Sequence, residues 1–264
     1  MSRAVRRFIA RHRRQKVVKS LVALARSIVK GDANFDYDPN HNGERFIAER
    51  VAASVTAPVF FDVGANTGGW TEMALSVAPK AQIHAFEIVP ATYEKLAARY
   101  GKRAGVFVNG FGLGDRAGEV EVAVTADDTR ATSVLQFHER PVAMIKCPVR
   151  SGDDYCAERG IAKIDLLKID VEGGEPQVLR GFALALAKGH VRAIQFEYGR
   201  VSIHTRFLLK DFYAMLEPRG FVLGKIFPNY VEFAPYRDTA EDFVGPNYLA
   251  VLKSETALVK SLEG

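Results

Sequence analysis

Five acidic residues end or directly follow apolar segments of the sequence, which makes them candidates for chemistry at the mouth of a core. They are Asp62, Glu87, Asp170, Glu172 and Glu197. Carboxylates that meet at such a place repel one another and cost stability unless a cation or a hydroxyl group meets them. The pattern therefore predicts a site that binds a positive group or a diol, or that accepts a proton from a reacting hydroxyl.

The stretch "DVGANTGGWT" follows one of these apolar segments, and its glycine spacing separates three kinds of ligand. A phosphate-binding loop needs a lysine after its last glycine, but Trp70 and Thr71 stand there. A dinucleotide fingerprint needs a second glycine where this chain has Asn66. Because both phosphate ligands are disfavoured, the acid at position 62 fits a ligand that presents a cation.

S-adenosylmethionine is such a ligand, since it carries an ammonium and a sulfonium group and no phosphate. We expect Asp62 to face this positive end directly or through water, while the glycines let the backbone approach and the next helix N-terminus accepts the ligand carboxylate. The alternative for this loop is a tight turn with no ligand.

Downstream residues extend the same site. Glu87 lies 23 positions after Gly64, about the spacing at which an acid binds a ribose diol. Ile88 would flank the adenine, and Asn109 would contact the adenine edge or cap a loop. The predicted cofactor-binding residues are Asp62, Gly64, Ala65, Asn66, Gly68, Glu87, Ile88 and Asn109.

Elements that position these residues follow from hydrophobic periodicity. Strands are predicted at 58–63, 82–87, 105–108, 164–170, 191–197, 221–227 and 247–253, and helices at 44–53, 70–78, 91–100, 175–187 and 206–217. This alternation predicts an α/β fold with a doubly wound, mostly parallel sheet that binds its ligand at the carboxyl ends of the strands. Residues 118–149 change to the period of a β-hairpin, which we expect to be an insertion over the site.

Four segments together resemble the FkbM family of S-adenosylmethionine-dependent methyltransferases. They are "FDVGANTGGWT", "HAFEIVP", "LLKIDVEGGEPQVLRG" and "NYLAVL", and the resemblance extends from about residue 34 to residue 252. It implies a class I methyltransferase (Rossmann-like) fold of seven strands with the last one antiparallel, in a domain over 34–255 followed by a tail at 256–264. It also implies cofactor binding by Asp62, Gly64 and Glu87, and O-methylation of a sugar, a glycan or a natural product.

Methyl transfer to an alcohol needs alignment and a proton acceptor. In the strand order of this fold, Asp170 and Glu197 end neighbouring strands, so both carboxylates would face the acceptor. We expect Asp170, Glu197 or His204 to act as the base. The alternative is a divalent cation such as Mg²⁺, held by Asp170, Glu172 and Glu197, that lowers the pKa of the hydroxyl. Direct assistance is favoured over the cation.

Charge is divided unevenly along the 264 residues. The whole chain carries +5, whereas residues 1–30 hold ten Lys/Arg and no acid, so the rest is at −5. An acidic body disfavours a nucleic-acid partner. Cys147 and Cys156 are too few for a disulfide framework, and no segment is convincing as a signal peptide or a membrane span, so a cytoplasmic protein is expected.

Residues 1–33 form a basic N-terminal extension outside the resemblance. We expect a poorly ordered lead-in and then a helix from about Gln15, because a single continuous helix would put Val5 and Phe8 opposite Leu21 and Leu24. A solvated cap helix is favoured over peripheral contact with anionic lipid or glycolipid at the inner membrane face.

Two other functions and the assembly of the chain stay open at this point. One alternative is a non-catalytic S-adenosylmethionine-binding partner in a biosynthetic assembly, and the other is an NAD-dependent oxidoreductase. An oligomer is compatible with the sequence.

Overall fold

The computed structural model describes residues 2–124 and 143–264. In them, eight strands form one sheet and three others form a second. The large sheet contains β1 (Val59–Val63), β2 (Gln82–Phe86), β3 (Val106–Asn109), β7 (Leu166–Ile169), β8 (Ala193–Glu197), β9 (Phe221–Phe227), β10 (Tyr230–Phe233) and β11 (Asn247–Leu252). The small sheet contains β4 (Gly112–Gly114), β5 (Gly118–Val124) and β6 (Ala143–Ser151).

Helices cover both faces of the large sheet. They are α1 (Arg3–Arg11), α2 (Lys16–Asp32), α3 (Glu44–Ala53), α4 (Gly69–Val77), α5 (Pro90–Tyr100), α6 (Gly152–Arg159), α7 (Glu175–Gly181), α8 (Ala183–Ala187), α9 (Val201–Thr205), α10 (Leu209–Leu216) and α11 (Thr256–Leu262). Successive side chains of the strands point into one or the other of two buried clusters, which lie on the two faces of the sheet. Because both faces are buried, the strand sequences are continuously apolar and do not alternate between apolar and polar residues.

The strand order of the large sheet is β10-β9-β11-β8-β7-β1-β2-β3. Strands β1, β2, β3, β7 and β8 are parallel, and β11 is antiparallel to both of its neighbours. This order confirms the predicted doubly wound sheet with an antiparallel last strand. One strand was not expected: β10 adds an eighth at the edge, because the turn after Phe227 returns the chain and stacks Tyr230 on Phe227, with ring centroids 4.8 Å apart.

Two segments in the C-terminal half of the chain differ from the sequence-based expectation. Residues 256–262, expected as a tail, form α11, whose Leu258 and Leu262 are buried in the same cluster as Ile47 of α3. The helix predicted over 175–187 is divided at Phe182, whose fully buried side chain packs in the cluster on the opposite face of the sheet.

The expected insertion begins with a β-pair. Strands β5 and β6 pair antiparallel, from Gly118 opposite Val149 to Val124 opposite Ala143, and β4 adds to β6 in parallel. Residues 125–142 lie outside the described residues, and so does the polar stretch predicted to join the two strands.

The N-terminal extension contains the helix expected from about Gln15, which is α2, but the residues before it form helix α1 rather than a poorly ordered lead-in. Helix α1 ends at Arg11 and α2 begins at Lys16. Val5 and Phe8 therefore do not belong to the same helix as Leu21 and Leu24. In α2 only Val18 is buried, whereas Val17, Leu21, Leu24 and Ile28 are each at least 60% exposed. None of the helices in the described ranges combines the length and apolar character needed to cross a membrane.

Candidate functional site

A cavity of about 230 Å³ opens at the carboxyl ends of β1, β2 and β7. This is the place where a doubly wound sheet binds its ligand. The cavity is lined by Val63, Gly64, Asn66, Phe86, Glu87, Ile88, Thr92, Gly112, Leu113, Gly114, Asp115, Val120, Val149, Asp170, Val171, Glu172, Gly174 and Gln177.

Charge in this lining has one sign. Glu87, Asp115, Asp170 and Glu172 are its ionisable residues, and none of the described residues that line it is a lysine, an arginine or a histidine. A phosphate or pyrophosphate would meet only repulsion from these side chains, whereas a cation would be attracted.

The loop after β1 brings its backbone against β7 and the cavity. Gly64 has φ +82°, and a Cβ there would lie 1.8 Å from the carbonyl oxygen of Asp170. The amides of Gly64 and Ala65 both donate to the carbonyl of Phe86, and Asn66 has φ +49°. Only glycine fits at position 64, and it fixes the loop beside the cavity.

Two other loop residues that were predicted to bind the cofactor do not reach the cavity. Ala65 is buried and is not part of the lining. Gly68 precedes α4 with φ +87°, and a Cβ there would lie 2.5 Å from the Tyr100 ring and 2.8 Å from Leu96. Its role in the structure is therefore close packing of α4 on α5.

Glu87 reaches the cavity from the end of β2. Its Oε2 accepts from the Asn66 amide at 2.8 Å and its Oε1 accepts from the Val89 amide at 2.9 Å. Burial raises the pKa of Glu87, and these two hydrogen bonds act in the opposite direction. Each carboxylate oxygen keeps a second lone pair, so the side chain can still accept from two hydroxyls.

Ile88 and Asn109 have different surroundings. Ile88 lines the cavity opposite Gly112, where a Cβ would lie 2.7 Å from its Cδ1. Asn109 is buried and donates to the carbonyls of Ala85 and Phe107 at 3.1 and 3.0 Å, so it holds the end of β3 and is not part of the cavity lining.

Asp62 is sealed below the cavity. Its Oδ2 accepts from the Thr71 hydroxyl at 2.7 Å, and its Oδ1 pairs with the Lys168 ammonium at 3.0 Å. The carboxylate is fully buried and does not line the cavity, so its charge is met by Lys168.

Lys168 joins the loop to the second acidic cluster. Besides Asp62, its Nζ donates to the Gly64 carbonyl at 3.2 Å and lies 3.4 Å from Oδ2 of Asp170. Although burial opposes its charge, Asp62 and Asp170 raise the pKa of Lys168 above its ordinary value. Lys168 was not among the predicted site residues, although a lysine inside the apolar run "LLKID" is itself a signal of a buried ion pair.

Asp170, Glu172 and Glu197 converge as the topology predicts. Each offers a carboxylate oxygen, and these oxygens lie within 4.8 Å of one another. Burial, then the charges of Asp170 and Glu175, raise the pKa of Glu172 to about 7. Burial, then the charges of Asp170 and Glu172, also raise the pKa of Glu197 well above its usual range. This acidic triad can hold a proton or a cation near neutral pH.

Glu175 and His204, two further residues considered for this site, do not belong to the triad. Glu175 is buried and accepts from the amides of Val171 and Gly173, both at 3.1 Å, so it closes the turn that leads into α7. His204 lies in the short helix α9 with an exposed side chain, and it is not among the residues that line the cavity.

A comparison with protein families matches the part of the chain that carries these residues. The family described as "Methyltransferase FkbM domain" matches residues 62–223, which is more than half of the chain.

Curated relatives align over about half of the chain. A 2-O-methyltransferase, NoeI of Sinorhizobium fredii, is 29% identical over 53% of this chain and 63% of its own. The 31-O-demethyl-FK506 methyltransferase FkbM of Streptomyces tacrolimicus is 32% identical over 47% and 58%, and the hexuronic acid methyltransferase AglP of Haloferax volcanii is 26% identical over 53% and 56%. The matches thus span less than two thirds of each relative.

Proposed function

Because this chain belongs to the FkbM methyltransferase family, we propose that it transfers a methyl group from S-adenosylmethionine to a hydroxyl oxygen of a sugar, a glycan or a natural product. The observation that carries the proposal is the cavity at the ends of β1, β2 and β7, whose described ionisable lining residues are all acidic. A cationic nucleoside without phosphate fits that lining, and NAD, with its pyrophosphate, does not.

The lining offers a partner for each part of such a donor. Glu87 would accept from the ribose hydroxyls, and the apolar side chains of Ile88, Leu113 and Val149 would enclose the adenine. Gly64 lets the backbone approach. Asp170 and Glu172, not Asp62, are the acids that would lie nearest the positive end, since Asp62 is paired with Lys168. The bound donor would supply an electrophilic methyl group.

We propose the Asp170–Glu197 pair as the proton acceptor for the hydroxyl. Lys168 lies beside Asp170, and the raised pKa of Glu197 makes Glu197 a strong base once it is ionised. The proton would move from the acceptor oxygen to this pair while the oxygen forms its bond to the methyl carbon. His204 stays a weaker candidate because its exposed side chain does not line the cavity.

A cation held by the acidic triad is a second candidate for activating the hydroxyl. The observation that favours it is the spacing of the three carboxylates, which is close enough to share one ion. A chelator distinguishes the two mechanisms: if turnover falls with EDTA and returns with Mg²⁺ in the native chain, and Glu172→Ala removes this response, the cation is required. Turnover that is indifferent to EDTA supports the carboxylate base.

The substrate class is proposed from the relatives, which include a hexuronic acid methyltransferase and a 31-O-demethyl-FK506 methyltransferase. The test is calorimetry with S-adenosylhomocysteine, followed by methyl transfer to glycan and natural-product fractions. Binding with no product on any acceptor would support the alternative of a non-catalytic partner. Stabilisation by NAD but not by S-adenosylhomocysteine would overturn the proposal.

We also propose that the N-terminal extension contacts an anionic membrane surface. In α1, Val5 and Phe8 are 43% and 57% exposed and lie on the face opposite Arg3 and Arg7. In α2 the exposed apolar residues follow helical spacing, and the extension contains no acid before Asp32. Apolar residues beside basic ones are the pattern of a helix that lies in the interface of anionic lipid.

Vesicle sedimentation tests this contact. We expect the chain to sediment with phosphatidylglycerol-containing vesicles but not with phosphatidylcholine alone, and to lose at least tenfold in binding with Leu21→Glu and Leu24→Glu together. Lys188→Glu, at an exposed lysine of the body, serves as the charge-matched control. Equal binding of both lipids, or of the double variant and the native chain, would contradict the proposal.

A further inference from the structure

The loop between α2 and α3, residues 34–43, is fastened to the sheet on the far side of the acidic triad. Asn34 donates to the carbonyls of Asn42 and Ile226 at 2.8 and 2.9 Å. A Cβ on Gly43, which has φ +100°, would lie 2.2 Å from the Phe227 carbonyl. The loop therefore sits directly on β9.

A second set of contacts ties the loop to β8. Glu44 accepts from Gln195 at 2.6 Å and from Asn247 at 3.0 Å, and Asn247 stands opposite Glu197 in the β8–β11 pair. Asn42 donates to Glu44 at 2.7 Å and to the Asp36 carbonyl at 3.3 Å. These bonds hold the backbone next to Asp36 close to the end of β8, where Glu197 lies.

Tyr37 follows Asp36 and is 61% exposed. Its ring meets the edge of Phe35 at 85°, with centroids 5.3 Å apart, and the Lys30 ammonium lies 4.7 Å from the centroid of Phe35. Partial burial, then the charges of Glu197, Glu172 and Asp170, raise the pKa of the Tyr37 phenol to about 12. The phenol thus lies within the field of all three acids.

Three features now follow one another along the carboxyl edge of the sheet. The donor cavity lies over β2, β1 and β7, the acidic triad lies at the ends of β7 and β8, and the loop that carries Phe35 and Tyr37 is fastened to β11 and β9, which follow β8 in the sheet. An acceptor hydroxyl that touches both the triad and the donor would have the rest of its molecule on the side of Tyr37.

We propose that Phe35 and Tyr37 form a platform on which a sugar ring of the methyl acceptor stacks, with Tyr37 as the contact surface and Phe35 as its brace. This inference rests on the proposed function, whose acceptor class it narrows. A pyranose ring has an apolar face of C–H groups and a rim of hydroxyls. The electron-rich face of an aromatic ring can stack on the C–H face of the sugar, and the neighbouring carboxylates can accept hydrogen bonds from its hydroxyls.

Saturation-transfer NMR in the presence of S-adenosylhomocysteine tests the platform without knowledge of the natural acceptor. The probes are methyl hexopyranosides and methyl hexuronosides, with sorbitol as the acyclic comparison. We expect saturation of the ring C–H protons in the native chain and in Tyr37→Phe, and at least a fivefold loss in Tyr37→Ala. Tyr230→Ala, at an exposed ring on the edge strand β10, is the matched control and should keep the native signal.

Failure of the platform differs from failure of the proposed function. The platform alone is overturned if S-adenosylhomocysteine binds and any one of three results is obtained. These are unchanged sugar signals in Tyr37→Ala, a saturation signal from sorbitol as strong as that from the pyranosides, or no signal from any sugar of the panel. If an apolar macrolide gives the Tyr37-dependent signal instead of the sugars, the acceptor is a natural product and the sugar is excluded. If S-adenosylhomocysteine does not bind, the proposed donor fails whatever the sugars do.

Discussion

The two sides of the acidic triad are built in different ways. On the donor side, the cavity is shaped by backbone and by buried side chains, such as Gly64 against Asp170 and Glu87 on two amides. On the far side, the surface is made of exposed side chains on a fastened loop, with Tyr37 as its centre. The donor side is therefore formed before any ligand binds. Substitutions on the far side, in contrast, can alter its exposed side chains without disturbing the fold.

The largest effect is expected at Lys168, which joins the loop of the donor side to the acidic triad. Lys168→Met leaves Asp62 buried without its ion pair, so the free energy of unfolding should fall by about 3–5 kcal/mol. Urea denaturation measures this. Lys188→Met, at an exposed lysine, should change stability by less than about 0.5 kcal/mol. Adding Asp62→Asn to Lys168→Met should recover part of the loss, and strict additivity of the two changes would show that the pair is not coupled.

Within the triad, Glu197→Gln should affect turnover and spare the donor side. Removing a proton acceptor typically lowers kcat by about 10²–10⁴-fold. The affinity for S-adenosylhomocysteine should stay within about twofold, because Glu197 does not line the cavity. Glu232→Gln, on the exposed face of the edge strand, provides the control. An unchanged kcat in Glu197→Gln would remove it from the proposed base.

On the donor side alone, Gly64→Ala should weaken binding of S-adenosylhomocysteine by about tenfold or more. The substitution introduces strain at φ +82° and a clash with the Asp170 carbonyl. Gly69→Ala is matched to it, since no atom lies within 4 Å of a Cβ at that neighbouring position. Calorimetry of the two variants compares them directly, and equal affinities would show that the backbone approach at Gly64 does not shape the donor site.

The smallest effect is a pH dependence of stability. Glu172 has a pKa near 7 in the folded chain and an ordinary, lower pKa when unfolded, so the folded chain binds more protons between these values. Its contribution to stability should therefore decline as pH rises from about 5 to 7 and stay level above that. Glu172→Gln should reduce this slope, by on the order of 1 kcal/mol across the interval. If the free energy of unfolding depends on pH in the same way in the native chain and in Glu172→Gln, the raised pKa of Glu172 is contradicted.

Of the eight residues that the sequence predicts to bind the cofactor, Gly64, Asn66, Glu87 and Ile88 line the cavity, whereas Asp62, Ala65, Gly68 and Asn109 do not. The loop from Gly64 to Asn66, Glu87 at a strand end and the convergence of Asp170 with Glu197 all follow from motif and strand order. The partner of Asp62 was not predicted, since the lysine that meets it lies more than a hundred positions away. No sequence pattern indicates the position of Tyr37, because its place near Glu197 depends on hydrogen bonds from Asn42 to the Asp36 carbonyl and from Asn247 to Glu44.

Elements at the margins were missed for similar reasons. The start of α2 was expected near Gln15, but the residues before it were expected to be poorly ordered and instead form α1. Strand β10 pairs with the free edge of β9, and this pairing depends on tertiary context that local periodicity does not report.

The position of Lys168 between Asp62 and Asp170 has a kinetic consequence. The lysine already stabilises the charge of Asp170, so a proton retained by the triad is left to its neighbours Glu172 and Glu197. A cationic donor that enters the cavity beside Glu172 would lower the pKa of Glu172 and of its neighbour Glu197 and release that proton. The acceptor would then meet a competent base only after the donor has bound, which is a structural reason for an ordered, donor-first sequence of binding.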